Sequence, residues 1–90
     1  MSEVVRTVTI RNRLGLHARP AGEFVKAASK FEAQITVTKG ELEVNGKSIM
    51  GVMTLAAECG SKVTVRAVGD DAYEALEAVA EVLDREFGDI

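Results

Sequence analysis

The sequence predicts an α+β protein, an open-faced two-layer sandwich in which three helices cover one face of a four-stranded, mainly antiparallel sheet. Four short segments alternate apolar and polar residues, as half-buried strands do, and three others carry apolar residues at helical spacing. Their order along the chain is β-α-β-β-α-β-α. Because only one face of each predicted strand is apolar, all three helices are expected on the same side of the sheet.

The predicted strands are short and rich in β-branched residues, and they cover residues 4–10, 34–38, 42–44 and 62–68. The two middle strands are joined by a short connection that contains Gly40, which predicts a hairpin. On the buried face of this hairpin, Ile35 and Val37 are expected to pair with Leu42 and Val44. The last strand alternates most regularly, with its valines pointing inward.

The predicted helices cover residues 18–30, residues 49–58 and a segment that follows Asp71. Ser48 is the expected N-cap of the second helix, and Asp71 with Glu74 resembles a capping box at the start of the third. Glu81 and Arg85 lie one turn apart and are expected to pair. The expected buried stripes are Ala21, Phe24, Val25, Ala28 and Phe31 in the first helix; Ile49, Val52, Met53 and Ala56 in the second; and Leu76, Val79, Ala80, Leu83 and Phe87 in the third.

Composition narrows the class of protein. Ninety residues, 47% of them hydrophobic, predict a single domain over residues 1–90. The net charge of -3 argues against a nucleic-acid binder, because that function needs clustered positive charge. The single cysteine, Cys59, cannot form an internal disulfide and is expected to be a small buried residue. With no signal peptide and no long apolar span, a cytoplasmic protein without membrane contact is expected.

Residues 14–21, LGLHARPA, hold the histidine and the proline of this chain. Gly15 permits a sharp turn, and Pro20 fits the first turn of a helix, so His17 should lie where a loop enters a helix. The first NH groups of a helix lack intrahelical partners and carry partial positive charge, which attracts anions. An imidazole, the guanidinium of Arg19 and a helix start within three residues predict phosphate chemistry on His17.

LGLHARPA, followed by NGKSIMGVMTLA, resembles the histidine-containing phosphocarrier (HPr) family of the phosphoenolpyruvate-dependent phosphotransferase system. The resemblance covers essentially the whole chain and implies the same open-faced fold. It also implies that His17 accepts a phosphoryl group from phosphorylated enzyme I on its Nδ1 atom and passes it to a IIA protein or domain. Arg19 and Pro20 are the neighbours that the family motif places beside this histidine.

The resemblance further implies a regulatory site and a docking surface. Ser48 corresponds to the serine that HPr kinase/phosphorylase modifies in many bacteria, although a plain N-cap explains it about equally well. Ile49, Met50 and Met53 correspond to the apolar patch on which partner proteins dock, with Pro20 as a further contact.

The chemistry of transfer fits these residue types. Neutral imidazole is a good nucleophile near pH 7. The backbone NH groups of Ala18 and Arg19 can bind phosphoryl oxygens, and the Arg19 guanidinium offers planar donors. Transfer between two proteins depends mainly on positioning and charge, so the expected role is a monomeric, stoichiometric carrier and not an enzyme, with no metal or cofactor.

Two departures from the family pattern leave alternatives open. Many sugar-pathway members have a short polar residue at the position of Leu14, whereas the nitrogen-related branch often has leucine there, as this chain does. Ala56 and Ala57 stand where many members have glycine. A nitrogen-branch or purely regulatory carrier is therefore an alternative to a carrier for sugar uptake. A small α+β ligand-binding regulatory domain is a more remote one, and it would not need His17.

Overall fold

The computed structural model describes residues 2–87 and confirms the predicted fold class. The elements follow the expected order: β1 (Ser2–Thr9), α1 (Ala18–Ala28), β2 (Gln34–Lys39), β3 (Leu42–Asn45), α2 (Ile49–Thr54), β4 (Lys62–Gly69) and α3 (Ala72–Leu83). Every described strand pair is antiparallel, and the strand order in the sheet is β1-β4-β2-β3. The three helices form the second layer.

The inward faces of the central strands build the sheet side of the core. In β4, the residues Val63, Val65 and Ala67 are at most 1% exposed, which confirms the alternation predicted for this strand. Phe24 of α1 and Leu76 of α3 are fully buried against them. Each Å² of apolar surface removed from water stabilises the fold by about 25 cal/mol, so the burial of this aliphatic layer is the main stabilising contribution.

The β2–β3 hairpin has a different register from the expected one. Val37 is paired with Val44, and Leu42, which was expected to pair with an apolar residue of β2, lies opposite Lys39 and is 43% exposed. The connecting Gly40 has φ of 61°, a conformation that favours glycine. The expected burial of Leu42 was wrong because this residue lies on the edge strand β3, next to the turn, where its partner is Lys39 and not an apolar residue.

The second helix is shorter than predicted. α2 ends at Thr54, and its buried residue is Val52, whereas Ile49 and Met53 are 43% and 39% exposed and Ala56 is also exposed. Leu55 is the C-cap, so the predicted extension to residue 58 was wrong. Three of the four residues expected in the buried stripe therefore face outward.

The third helix begins after Asp71 as predicted, but its capping contact differs from the predicted one and the helix ends before Phe87. Asp71 is the N-cap residue, but its carboxylate accepts hydrogen bonds from the backbone NH groups of Glu32 (3.0 Å) and Ala33 (2.9 Å) and not from α3. The predicted capping box with Glu74 was wrong, because the carboxylate anchors the segment after α1. Phe87 lies beyond the end of α3, although it packs against the core as expected.

The remaining helix predictions agree with the structure to within two residues. α1 ends at Ala28 with Ser29 as its C-cap, slightly before the predicted end at residue 30. At the end of α3 the predicted pair is present, since the guanidinium of Arg85, just beyond the helix, donates to a Glu81 carboxylate oxygen at 2.8 Å.

Candidate functional site

His17 lies where the chain leaves the loop after β1 and enters α1. It is the N-cap residue, with extended backbone angles (φ -82°, ψ -166°), and its carbonyl oxygen accepts a hydrogen bond from the Ala21 NH at 3.0 Å. The imidazole is partly exposed and, within the described residues, does not cap the helix. The expected position at a helix start is confirmed, and the ring is not used to close the helix end.

The loop before His17 is held against the segment that follows α2. Leu16 donates its backbone NH to the Ala57 carbonyl at 2.8 Å, and Gly15 turns the chain with φ of 75° while its NH donates to Asn12 at 2.9 Å. Only glycine fits here, because a Cβ on Gly15 would lie 2.5 Å from the Ala57 oxygen. The backbone on the N-terminal side of His17 is therefore fixed by a second loop.

The first turn of α1 has the electrostatic character of an anion site. It contains Ala18, Arg19 and Pro20 and no acidic residue. Ala18 and Arg19 are exposed, and the helix provides no partners for their NH groups. The macrodipole and the guanidinium both favour negative charge beside His17.

The guanidinium of Arg19 makes a cation–π contact with an aromatic ring that the sequence did not place in the site. Its Cζ atom lies 5.9 Å from the centroid of Phe87, and the Cζ atom of Arg85 lies 5.3 Å from the same centroid. Both distances are within the range of cation–π interactions. The contact joins α1 to the segment after α3, and no local pattern reveals such a pairing.

Asn12 is a further neighbour that sequence reasoning left as a plain loop residue. Its side chain is the one polar side chain that is buried among the described residues, at 3% exposed. Its Nδ2 donates to the Gly15 carbonyl at 2.9 Å, and its Oδ1 accepts from the Phe87 NH at 2.9 Å. An asparagine three residues before a glycine signals a turn, but not the contact with Phe87.

A shallow depression of about 250 Å³ lies beside the histidine. Its lining combines apolar side chains with one imidazole and one carboxylate, from Leu14, Leu16, His17, Met53, Ala56, Ala57 and Glu58. The volume is below the usual range of small-molecule pockets. The histidine therefore belongs to an accessible surface and not to an enclosed cavity.

An exposed apolar patch adjoins this depression. We use "apolar patch" for Leu14, Ile49, Met50 and Met53, which are 55%, 43%, 72% and 39% exposed. Leu14 and Met53 line the depression with His17, and Ile49 approaches α1, because a Cβ on Gly22 would lie 3.8 Å from its Cδ1 atom. Exposed apolar side chains grouped in this way are typical of interaction sites.

Ser48 is the N-cap of α2, as predicted. Its Oγ accepts a hydrogen bond from the Gly51 NH at 3.1 Å, and the side chain is partly exposed. Ile49 and Met50 follow it directly, so Ser48 lies at the border of the apolar patch. A group added to its hydroxyl would meet the start of α2 on one side and exposed apolar surface on the other.

Two expected placements are corrected by the structure. The side chain of Pro20 is less than 2% exposed, so it is a core contact and offers no docking surface in this conformation. Cys59, expected to be buried, is exposed, with its thiol 3.8 Å from the Arg11 carbonyl. Cys59 lies in the exposed turn that precedes β4, where its side chain faces outward.

Residues 2–87 contain neither the side-chain cluster of a metal site nor a helix of the membrane-spanning type. No group of three or more His, Cys, Asp or Glu side chains in this range is arranged to hold a metal ion. None of the helices in the same range has both the length and the apolar character needed to cross a membrane.

Comparison with known proteins places this site in a family. A family model described as "PTS HPr component phosphorylation site" matches residues 4–85. The chain belongs to the HPr family. It is thus related to the phosphocarrier proteins of the phosphotransferase system, which the sequence motifs had indicated.

HPr-family relatives match almost the full chain. The phosphocarrier protein HPr of Treponema pallidum is 45% identical over 84 residues, which cover 93% of this chain and 96% of the relative. The crystal structure of HPr-C-His from Thermoanaerobacter tengcongensis is 48% identical, with a TM-score of 0.87 and coverage of 100% of this chain and 99% of that one.

The HPr family also includes relatives with another name. Phosphocarrier protein NPr of Shewanella violacea is 39% identical over 87 residues, which cover 97% of this chain and 96% of the relative. The chain is therefore similar to phosphocarrier proteins of both names, HPr and NPr.

Proposed function

We propose that this chain is a phosphoryl carrier that accepts a phosphoryl group from phosphorylated enzyme I on His17 and passes it to a IIA protein or domain. The observation that carries the proposal is the position of a partly exposed imidazole at the start of α1, beside the exposed Arg19. In the first transfer, the bond between phosphorus and its donor on enzyme I breaks as a bond to the Nδ1 atom of His17 forms. In the second, that bond breaks as the IIA acceptor attacks.

The groups around His17 suit a reversible transfer. The NH groups of Ala18 and Arg19 and the Arg19 guanidinium neutralise charge on the phosphoryl oxygens as they pass through a loose, in-line transition state. A carrier must release the group as readily as it accepts it, so moderate stabilisation from an exposed helix start is better suited than an enclosed site. The chain is consumed and regenerated, and it acts as one domain, monomeric and cytoplasmic, with no metal or cofactor.

The apolar patch is the surface on which enzyme I and the IIA acceptor dock. Met50 is the most exposed of the large apolar side chains, and Leu14 and Met53 reach the depression beside His17. Burial of these side chains by either partner would bring the donor or acceptor group in line with the imidazole. Because both transfers use the same histidine, the partners bind in turn.

Ser48 is a candidate regulatory phosphoserine, with HPr kinase/phosphorylase as its modifying enzyme. Its Oγ is already the N-cap acceptor of α2, and phosphate oxygens can replace it in that role. Phosphorylation adds about -1.5 to -2 charges at the edge of the apolar patch. We expect it to weaken docking without unfolding α2.

The branch of the pathway has a second candidate. Leu14 is 55% exposed beside the histidine, and a relative named NPr matches 97% of this chain, so a nitrogen-branch or regulatory carrier also fits. Initial transfer rates to a panel of purified IIA acceptors decide between the two. Preference for sugar-specific acceptors supports the first candidate, and preference for a nitrogen-related acceptor supports the second.

The decisive test of the carrier function is labelling with enzyme I and radioactive phosphoenolpyruvate. We expect label on the wild-type chain that is acid-labile and alkali-stable, as phosphohistidine is, and no such label on His17→Ala. Addition of a IIA acceptor should then remove the label from the chain. An unlabelled wild-type chain with a matched enzyme I would exclude the function.

A further inference from the structure

Asn12 links the loop before His17 to the far end of the chain. Its amide is 3% exposed and bonds on both sides, donating to the Gly15 carbonyl and accepting from the Phe87 NH, each at 2.9 Å. A buried amide with both ends satisfied specifies the relative position of the groups it joins. Asn12 therefore fixes Phe87 relative to the turn that presents His17.

Phe87 in turn contacts the one arginine in the first turn of α1. Its ring is partly buried against the core and lies 5.9 Å from the Cζ atom of Arg19. Arg85 lies 5.3 Å from the same ring and is itself held by Glu81 at 2.8 Å. The ring is thus supported by the core and by a second guanidinium that is paired elsewhere, while Asn12 holds the backbone NH of Phe87.

A cation–π contact of this kind restricts an arginine without blocking its chemistry. The ring interacts with the charge of the guanidinium, so the contact uses none of its five NH donors. An exposed arginine samples many rotamers, and binding of an anion must restrict them, which costs side-chain entropy. A platform that restricts Arg19 beforehand lowers this cost for a phosphoryl group on His17.

We propose that Phe87, held in place by Asn12, is a positioning residue that orients the Arg19 guanidinium for the phosphoryl group on His17. This inference rests on the carrier function proposed above. Neither residue touches the reacting atoms, and both act through Arg19. Asn12 and Arg19 lie near one end of the chain and Phe87 near the other. The site around His17 therefore includes the segment after α3.

The test is a double-mutant cycle between Phe87 and Arg19. We expect Phe87→Leu to slow phosphoryl transfer from enzyme I about two- to fivefold, the factor that corresponds to an exposed cation–π contact. Phe87→Tyr keeps an aromatic ring at this position and should therefore transfer at the wild-type rate. In an Arg19→Ala background, Phe87→Leu should have no further effect. Tyr73→Leu, an exposed aromatic at the other end of α3, is the matched control and should leave the rate unchanged.

A second readout reports on the geometry without any transfer. The Phe87 ring should shift the side-chain δ protons of Arg19 in the NMR spectrum, and both Phe87→Leu and Asn12→Ala should remove the shift. A wild-type rate for Phe87→Leu, or equal slowing with and without Arg19, overturns the positioning role. If the wild-type chain accepts no phosphoryl group, the carrier function fails instead, and the two failures are distinguishable.

Discussion

Gly15 lies against the carbonyl group of Ala57 so closely that a Cβ on the glycine would come within 2.5 Å of the oxygen. The same oxygen accepts the Leu16 NH at 2.8 Å, one residue before His17. Two loops that are distant in sequence thus share one carbonyl, and the position of the histidine depends on their contact.

Gly15→Ala should destabilise the fold by about 2–4 kcal/mol, because the new methyl group meets backbone that cannot move away and the φ of 75° is strained for alanine. Urea unfolding measures the change. Gly40→Ala is the matched control, since Gly40 also has a positive φ (61°) but no atom within 4 Å of the added Cβ. It should cost only about 1 kcal/mol. Equal losses at the two positions would contradict a role for the Ala57 contact.

Ala56 has φ of 50°, which is unfavourable for a residue with a Cβ. Ala56→Gly should therefore stabilise the protein by about 0.5–1 kcal/mol, as measured by thermal or urea unfolding. Ala57→Gly should instead destabilise the protein, because Ala57 is 3% exposed and is not in the left-handed region. This substitution removes buried apolar surface and raises the conformational entropy of the unfolded chain. Changes of the same sign would show that backbone strain does not govern this loop.

Much of the fold could be predicted because it depends on local periodicity. The alternation around Val63 and Val65 and the helical spacing around Phe24 each lie within one element, and burial follows the pattern. Ser48 was predicted as an N-cap for the same reason, since capping is a contact between near neighbours in the chain.

The predictions failed where tertiary contacts or function overrode the local pattern. Ile49 and Met53 have the spacing of a buried stripe, but the structure leaves them exposed, in agreement with the docking surface proposed above. Asp71 looked like a helix cap, and its carboxylate instead bonds to Glu32 and Ala33. The cation–π contact of Arg19 with Phe87 joins opposite ends of the chain and has no local signature.

The contact of Asp71 with the segment after α1 predicts a dependence of stability on pH. The backbone NH of Glu32, and then that of Ala33, hold the pKa of the Asp71 carboxyl below its ordinary value of about 3.8. A lowered pKa in the folded state means that the contribution to stability is fully present above the unfolded pKa, about 3.9, and is lost as pH falls through the folded value.

Asp71→Asn should therefore flatten the decline of stability below about pH 4 relative to wild type. Urea unfolding at a series of pH values measures the slope. Asp70→Asn, at the exposed neighbouring position, is the control and should keep the wild-type decline. An unchanged slope in Asp71→Asn would show that the two backbone hydrogen bonds do not favour the ionised form.

Met50→Asp tests the apolar patch as a docking surface. Met50 is 72% exposed, so the substitution should leave the melting temperature nearly unchanged, yet it should raise the KM for transfer from enzyme I roughly tenfold by placing charge in a desolvated contact. Leu42→Asp is matched to it, because Leu42 is an exposed apolar residue (43%) on the edge strand β3. Equal effects of the two variants on KM would argue against a specific patch.

Variants of Ser48 separate its capping role from its proposed regulatory role. Ser48→Ala removes the acceptor of the Gly51 NH and should cost about 1 kcal/mol of stability while leaving transfer from enzyme I near the wild-type rate. Ser48→Asp keeps an acceptor at the helix start, so stability should stay near that of wild type, but the added charge at the border of the apolar patch should raise the KM.

Gln34→Glu adds the same charge at an exposed position of β2 and controls for the change in net charge. Loss of α2 signals in the NMR spectrum of Ser48→Asp would contradict inhibition through docking, because the charge would then act by unfolding the helix. If instead α2 is intact and only the KM rises, the negative charge at Ser48 acts on the partner and not on the fold. That outcome is expected from a serine whose oxygen already serves as the helix cap.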